Sequence, residues 1–225
     1  MSDNVVKLTA IPDIPLVKPD DDLAAILINT LDQTGIEPSE QDILVVAQKI
    51  VSKAEGRYVN LEAISPSKRA HSLARAVDKD PRLVEVILSE SDKVVRYKPG
   101  VLVVAHRLGL VLANAGIDRS NLDPELKGEQ VLLLPRDPDA SAAALKARLD
   151  GHYGAELGVV ISDSIGRAWR NGTVGTALGS AGLPALRNLI GQLDLSGRLL
   201  EVTQTGFADE LASAASLLMG QADES

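Results

Sequence analysis

Three stretches of the chain gather side chains able to do chemistry, and each follows an apolar run. Gln48-Lys49-Ile50-Val51-Ser52-Lys53-Ala54-Glu55-Gly56-Arg57 comes directly after Ile43-Leu44-Val45-Val46-Ala47. Two lysines, an arginine, a serine and a glutamine at the carboxyl end of a strand suit a polyanion such as a nucleoside triphosphate. A turn with its charges in water uses the same residues. The second stretch is Asn114-Ala115-Gly116-Ile117-Asp118-Arg119-Ser120-Asn121. Asp118 and Asn121 offer the hard oxygen donors that Mg2+ or Mn2+ prefers, and an Asx turn employs them equally well. The third is Ile161-Ser162-Asp163-Ser164-Ile165-Gly166-Arg167-Ala168-Trp169-Arg170-Asn171-Gly172. An apolar strand delivers a carboxylate and a hydroxyl, Asp163 and Ser164, at its end, the residue types by which many nucleotide enzymes hold a metal. Arg167 and Arg170 stand near enough to meet phosphate or carboxylate. Glycines at 166, 172, 175, 179 and 182 would let backbone approach a ligand closely. A flexible loop accounts for them too, but Trp169, the only tryptophan, argues that the segment packs.

What is missing narrows the field. There is no G-x-x-x-x-G-K-[ST], no G-x-G-x-x-G after a strand and no G-x-S-x-G elbow, so phosphates would be bound by an unconventional fold. His71, His106 and His152 are scattered without metal-ligand spacing, and there is no cysteine to supply a thiolate or a disulfide. Across 225 residues, 31 acidic side chains face 23 basic ones, a net charge of −8, which argues against bulk binding to nucleic acid or to an anionic membrane. Aromatics are confined to Trp169, Tyr58, Tyr97, Tyr153 and Phe207. The core is therefore expected to be Leu, Val, Ile and Ala, and base stacking on single strands is unsupported. No apolar run approaches the ~18 residues of a membrane span, and Met1-Ser2-Asp3-Asn4 lacks a basic start, so a cytoplasmic location is expected.

The elements that must position these residues read as one unit without linker or repeat. A short strand is expected over Val5 to Ala10, followed by a proline-broken loop through Pro19. Asp20, Asp21 and Asp22 then open a helix with Leu23, Ile26, Leu27, Thr30 and Leu31 on one stripe. Ile43 to Ala47 reads as a buried strand. Caps followed by proline predict helices from Ser65-Pro66 to Val77, Asp80-Pro81 to Ser89 and Asp137-Pro138 to Leu149. Strands over 93–97, 101–105, 110–114 and 130–134 are too close for helical crossovers, so hairpins are expected. A strand over 158–161, the glycine-rich stretch to Gly182, a strand near 199–205 and a helix over 209–219 complete an α+β pattern.

Taken together, the motifs carry a family resemblance. Ile14-Pro15-Leu16-Val17 with Asp21-Asp22-Leu23-Ala24, Ile50 to Arg57, Asn114 to Asn121, Ser162 to Arg167, Gly172-Thr173-Val174-Gly175, Ala208-Asp209-Glu210 and Leu217-Leu218-Met219-Gly220 run in family order across nearly the whole chain. The chain resembles the coenzyme F-420-0:L-glutamate ligase family, GTP-dependent enzymes that add γ-linked glutamates to a deazaflavin coenzyme. The resemblance implies a family-specific α+β fold of mixed, largely antiparallel sheets with flanking helices, in an intertwined homodimer. It implies one ligase domain over 1–225 that lacks the family's last C-terminal segment. Ile14, Pro15, Leu16, Val17, Gln48, Lys49 and Lys53 would line the guanine nucleotide, and Asn121 would touch it. Asp118 and Asp163 would bind one divalent cation, Mg2+ or Mn2+, and Ser164 a second. Met219, Gly220, Gln221, Ala222, Asp223, Glu224 and Ser225 would close over the nucleotide. Ser164 stands where threonine is frequent, which keeps the hydroxyl, and Gln221 stands where glutamate is expected, which weakens a second-metal contact.

The reaction implied joins L-glutamate to the F-420 precursor through an acyl phosphate, with Lys53 and Arg167 or Arg170 assisting phosphoryl transfer. A ligase for another carboxylate-bearing cofactor uses the same residues. So does a non-catalytic module that binds a nucleotide or F-420.

Overall fold

A computed structural model of the chain describes residues 5–120, 122 and 126–220. In chain order the elements are α1 (Leu23–Thr34), β1 (Ile43–Ala47), α2 (Gln48–Ala54), β2 (Tyr58–Asn60), α3 (Lys68–Val77), α4 (Pro81–Ser89), β3 (Ser91–Lys98), β4 (Val101–His106) and β5 (Val111–Ala113). There follow β6 (Gln130–Leu132), α5 (Pro138–Tyr153), β7 (Gly158–Gly166), β8 (Thr173–Ala181), β9 (Arg187–Asn188), β10 (Gln204–Thr205) and α6 (Phe207–Met219). β1 lies parallel to β7, and β7 pairs antiparallel with β8. β3, β4 and β5 form an antiparallel meander, and β2–β6 and β9–β10 are antiparallel pairs. The expected α+β class with largely antiparallel sheets is what the chain adopts.

Two aliphatic cores hold it together. One lies between α1, α5 and the β1–β7 pair, around Leu27, Leu31, Val46, Leu145, Leu149, Val159 and Ile161. The other joins α3 and α4 to β4 and β6 through Val77, Val84, Ile87, Leu102, Val104 and Val131. With five aromatic residues in the chain, the drive to fold comes from many Leu, Val and Ile side chains, each contributing about 1.5–3 kcal/mol when fully buried.

Local chemistry sets the ends of the helices. Asp22, Asp80 and Asp137 each accept a backbone N–H as N-caps of α1, α4 and α5, and proline opens the last two. The helix expected from Ser65-Pro66 instead starts at Lys68. Ser67 is its cap: its hydroxyl accepts from the Ala70 N–H at 3.1 Å, while its own N–H donates to Glu85 at 2.7 Å. α5 runs beyond Leu149 to Tyr153, where Gly154 at φ 66° ends it.

Four other expectations are corrected. Val5 to Ala10 forms no strand; these residues are exposed and join no sheet among the described residues. β1 has the expected bounds but is a sheet edge, with Val46 alone fully buried, whereas the central strand β7 is buried from Gly158 to Ser162. The strand near 199–205 shrinks to Gln204–Thr205. Trp169 is 99% exposed at φ 56° in the β7–β8 turn, so it does not pack.

A charged hub ties the second core to the end of α2. The Arg57 Nη2 and Arg107 Nη2 donate to Glu90 Oε2 at 2.9 and 3.1 Å, and the fully buried His106 places Nε2 3.7 Å from the same oxygen. The imidazole and the two guanidiniums hold the Glu90 carboxyl down at about 2 against the opposing effect of burial. Only the arginines are within hydrogen-bonding distance, so they carry the firmer hold. A depressed carboxylate stabilises the fold above its ordinary value near 4.3 and loses that contribution as pH falls toward 2. Glu90→Gln is therefore expected to lower stability at pH 7 by about 3 kcal/mol. It is also expected to flatten the acid limb between those two values, as read by urea unfolding across the range.

Candidate functional site

The parallel register of β1 and β7 builds the site. Ala47 pairs with Ser162, so Gln48, the first residue of α2 at the carboxyl end of β1, follows alongside Asp163, which lies within β7. Ligand crevices in sheets of this kind form at that edge. The Ser164 N–H donates to Asp163 Oδ1 at 2.8 Å, and the buried Gln48 side chain accepts from the Ser52 hydroxyl at 2.9 Å.

Asp118 arrives from the other half of the chain. Asn114, Ala115 and Gly116 turn with φ of 53°, 56° and 67°, and two backbone hydrogen bonds of 2.9 Å then clip Asp118 to Leu132. A left-handed alanine costs about 1–2 kcal/mol, which the complete burial of Ala115 helps to offset. Gly116 is required twice, by its φ and by a Leu134 side chain 2.9 Å from where a Cβ would stand. Ser120 then fixes the carboxylate, its N–H and hydroxyl donating to Asp118 Oδ1 at 2.7 and 2.8 Å. The Asp-x-Ser spacing was the available signal for this clamp. Lys49 closes the cluster, with Nζ 2.7 Å from Asp118 Oδ2 and 3.2 Å from Ser120 Oγ.

The electrostatics of the two carboxylates differ. Burial pushes the Asp163 carboxyl above its usual range, and the Asp118 charge adds to this, against the Ser164 N–H, Lys49 and Gln48. Burial acts the same way on Asp118, but Lys49 and Ser120 outweigh it and hold that carboxyl below its usual range. Among the described residues no three His, Asp or Glu side chains gather as a metal cage. Two carboxylates completed by phosphate oxygens and water are how Mg2+ is ordinarily held, and a cation here would relieve the mutual repulsion that raises Asp163. The donor set fits.

Other expected site residues are placed as follows. Lys53 and Ser52 are buried on α2 beside Gln48. The loop before α1 is tied to α2 by the Asp20 N–H, which donates to Ala54 O at 2.9 Å. In it Leu16 is 81% exposed and Pro15 exposed, Ile14 is half-buried, and Val17 lies in the first core at 3% exposure, so Val17 supports the loop from below. Arg167 is exposed and donates to Asn171 O at 3.4 Å within its own turn. Arg57 is committed to Glu90 and to Leu134 O, and Glu55 accepts from the Arg136 N–H and Ser141 Oγ, so neither serves a polyanion. Met219 and Gly220 are half-buried at the end of α6. Asn121 and Gln221 to Ser225 lie outside the described residues.

Two of the glycines after Asp163 serve packing against helices. A Cβ on Gly175 would stand 2.1 Å from Ala212 O of α6, and one on Gly179 2.4 Å from the Pro138 carbonyl carbon of α5. In β8, Leu178 is the extra residue between the pairs Gly179–Ile161 and Ala177–Ser162. The Ala177 and Ser180 N–H groups donate to Asp209 and Asp139 at 2.9 and 2.8 Å. These two aspartates were not recognised as structural; their positions in the first turns of α6 and α5 were the only local sign.

Fold and site together define a small α+β domain in which Lys49 pairs with Asp118 within electrostatic reach of a second carboxylate, Asp163. The family profile described as F420-0:Gamma-glutamyl ligase matches residues 12–225. The chain is 47% identical to the "Coenzyme F420:L-glutamate ligase" of Methanothermobacter thermautotrophicus over 219 residues, 97% of this chain and 85% of that one. The proteins of the same name from Methanopyrus kandleri and Archaeoglobus fulgidus are 46% and 41% identical, covering 92% and 96% of this chain and 79% and 83% of theirs. The chain belongs to the F420-0:gamma-glutamyl ligase family.

Proposed function

We propose that the protein is a GTP-dependent ligase that forms an amide between L-glutamate and coenzyme F-420-0 and then extends it with γ-linked glutamate. What supports this reading is the Lys49–Asp118 pair within electrostatic reach of Asp163, from segments distant in sequence, in a member of this family. Asp118 and Asp163 would hold one Mg2+ or Mn2+, and Ser164 stands next to them for a second. Such ions supply charge neutralisation on the transferred phosphoryl group.

Amide formation from a carboxylate and an amine is uphill in water, so the acid is activated first. A carboxylate oxygen of the acceptor attacks the γ-phosphorus of GTP, the bond to the bridging oxygen breaks, and GDP leaves with that electron pair. The amine of glutamate then attacks the acyl carbon, gives up a proton and expels inorganic phosphate. Lys49 and Lys53 bind and orient the triphosphate, and the exposed Arg167 is available to the acceptor's anionic end. Ile14, Pro15 and Leu16 border the nucleotide.

The working unit is an intertwined pair of chains. The arm between β9 and β10 leaves Leu193, Leu195, Leu199 and Val202 between 63% and 109% exposed, an apolar surface suited to a second copy. One preparation tests the whole reading. Light scattering is expected to give two chains. Incubation with GTP, Mn2+, glutamate and the deazaflavin acceptor is expected to add glutamyl residues by mass spectrometry, and omission of either GTP or Mn2+ to stop it. Nucleotide binding without any gain in acceptor mass would instead make the protein a binding module.

A further inference from the structure

Asp118 Oδ1 accepts from both the N–H and the hydroxyl of Ser120, at 2.7 and 2.8 Å. A carboxylate oxygen has about two accepting positions, so Oδ1 is filled and Oδ2 is the oxygen left to a cation. Lys49 stands on that oxygen, with Nζ 2.7 Å away and a further hydrogen bond of 3.2 Å to Ser120 Oγ. Two positive centres on one oxygen repel each other. We infer that Lys49 is an exchangeable counter-ion. It and a divalent cation contest Asp118 Oδ2, and the displaced ammonium passes to the nucleotide phosphates, so cation and nucleotide favour each other's binding.

Three features make the exchange workable. Asp118 does not need the lysine for its placement, because two backbone hydrogen bonds with Leu132 and the two from Ser120 already fix it. The Lys49 ammonium is tied to this one loop and its side chain is 25% exposed, whereas Lys53 is buried. Lysine is also a compact charge on a flexible stem, able to move between two anions in turn. The inference rests on the reading of Asp118 as a cation ligand, and it adds a coupling between the cation and nucleotide sites that acts equally in both directions.

Two binding measurements on the full chain test it: calorimetric titration with Mn2+ alone, and equilibrium binding of GTP at saturating Mn2+ without acceptor. Lys49→Met is expected to bind Mn2+ roughly fivefold more tightly than the wild type, the scale of a partly exposed ion pair. It is expected to bind GTP roughly tenfold more weakly, the scale of one hydrogen bond to a charged group. Lys49→Gln is expected to shift both affinities in the same directions. A lysine that only braces the loop would weaken both when removed, and one that only binds phosphate would leave Mn2+ binding unchanged. Either result, or tighter Mn2+ binding with unchanged GTP binding, overturns the exchange and leaves the cation site standing, provided Asp118→Ala abolishes Mn2+ binding. No Mn2+ binding by the wild type and Lys49→Met alike, or equal binding by Asp118→Ala, overturns the cation reading and this proposal with it.

Discussion

Asp163→Ala is expected to lose at least ~10³-fold in GTP-driven glutamylation, since a cation held at a transferring phosphoryl group is worth several kcal/mol. The carboxylate is central to the site by position. It follows directly on the buried half of β7, within electrostatic reach of Asp118 and Lys49. Mass spectrometry of the acceptor measures the loss, and Asp163→Asn, which keeps the shape and removes the charge, is expected to share it. In metal-free buffer the same variants are expected to melt no lower than the wild type. A buried carboxyl whose folded value is raised is a burden on the fold whenever it is ionised, so its removal above that value leaves stability unchanged or improved. Full turnover in Asp163→Ala would take this side chain out of the chemistry.

Gly175→Ala is expected to be the most damaging small substitution to stability. Its added methyl would stand 2.1 Å from Ala212 O and 2.6 Å from the Ala212 carbonyl carbon, both backbone atoms of α6. No rotamer relieves such a contact; the helix must move. Overpacking of this kind costs about 1–3 kcal/mol, occasionally more, and in a chain of this size each kcal/mol is roughly 2–4 °C. A fall of about 6 °C or more is expected by calorimetry. Gly166→Ala is the matched control, because nothing lies within 4 Å of its new methyl, and it should melt with the wild type.

That pair of glycines also marks where reading from residues stopped. The local signals served well: the apolar run Ile43 to Ala47 has the bounds of β1, and the Asp-Pro pairs open α4 and α5. Each is written in neighbouring residues. The gathering of Asp118, Asp163, Gln48 and Lys49 was legible only through the family resemblance, because nothing in spacing alone brings position 118 to position 163. The glycines suggested room for a ligand, whereas two of them make room for helices that come from elsewhere in the chain. Arg57 looked like a phosphate contact, but its partner Glu90 is supplied 33 residues away. A strand was expected over Val5 to Ala10, yet a strand exists only where a neighbour supplies the ladder.

The aspartates that grip β8 have a last consequence for how the molecule behaves in a crowd. A strand with free amides along its outer side is a template on which stray chains accumulate into fibres. Here Asp139 and Asp209 occupy the Ser180 and Ala177 amides, and each carries a charge that any invading strand would have to displace. Two of the outer amides of β8 are thereby taken up on that flank, which hinders pairing with a stray strand there.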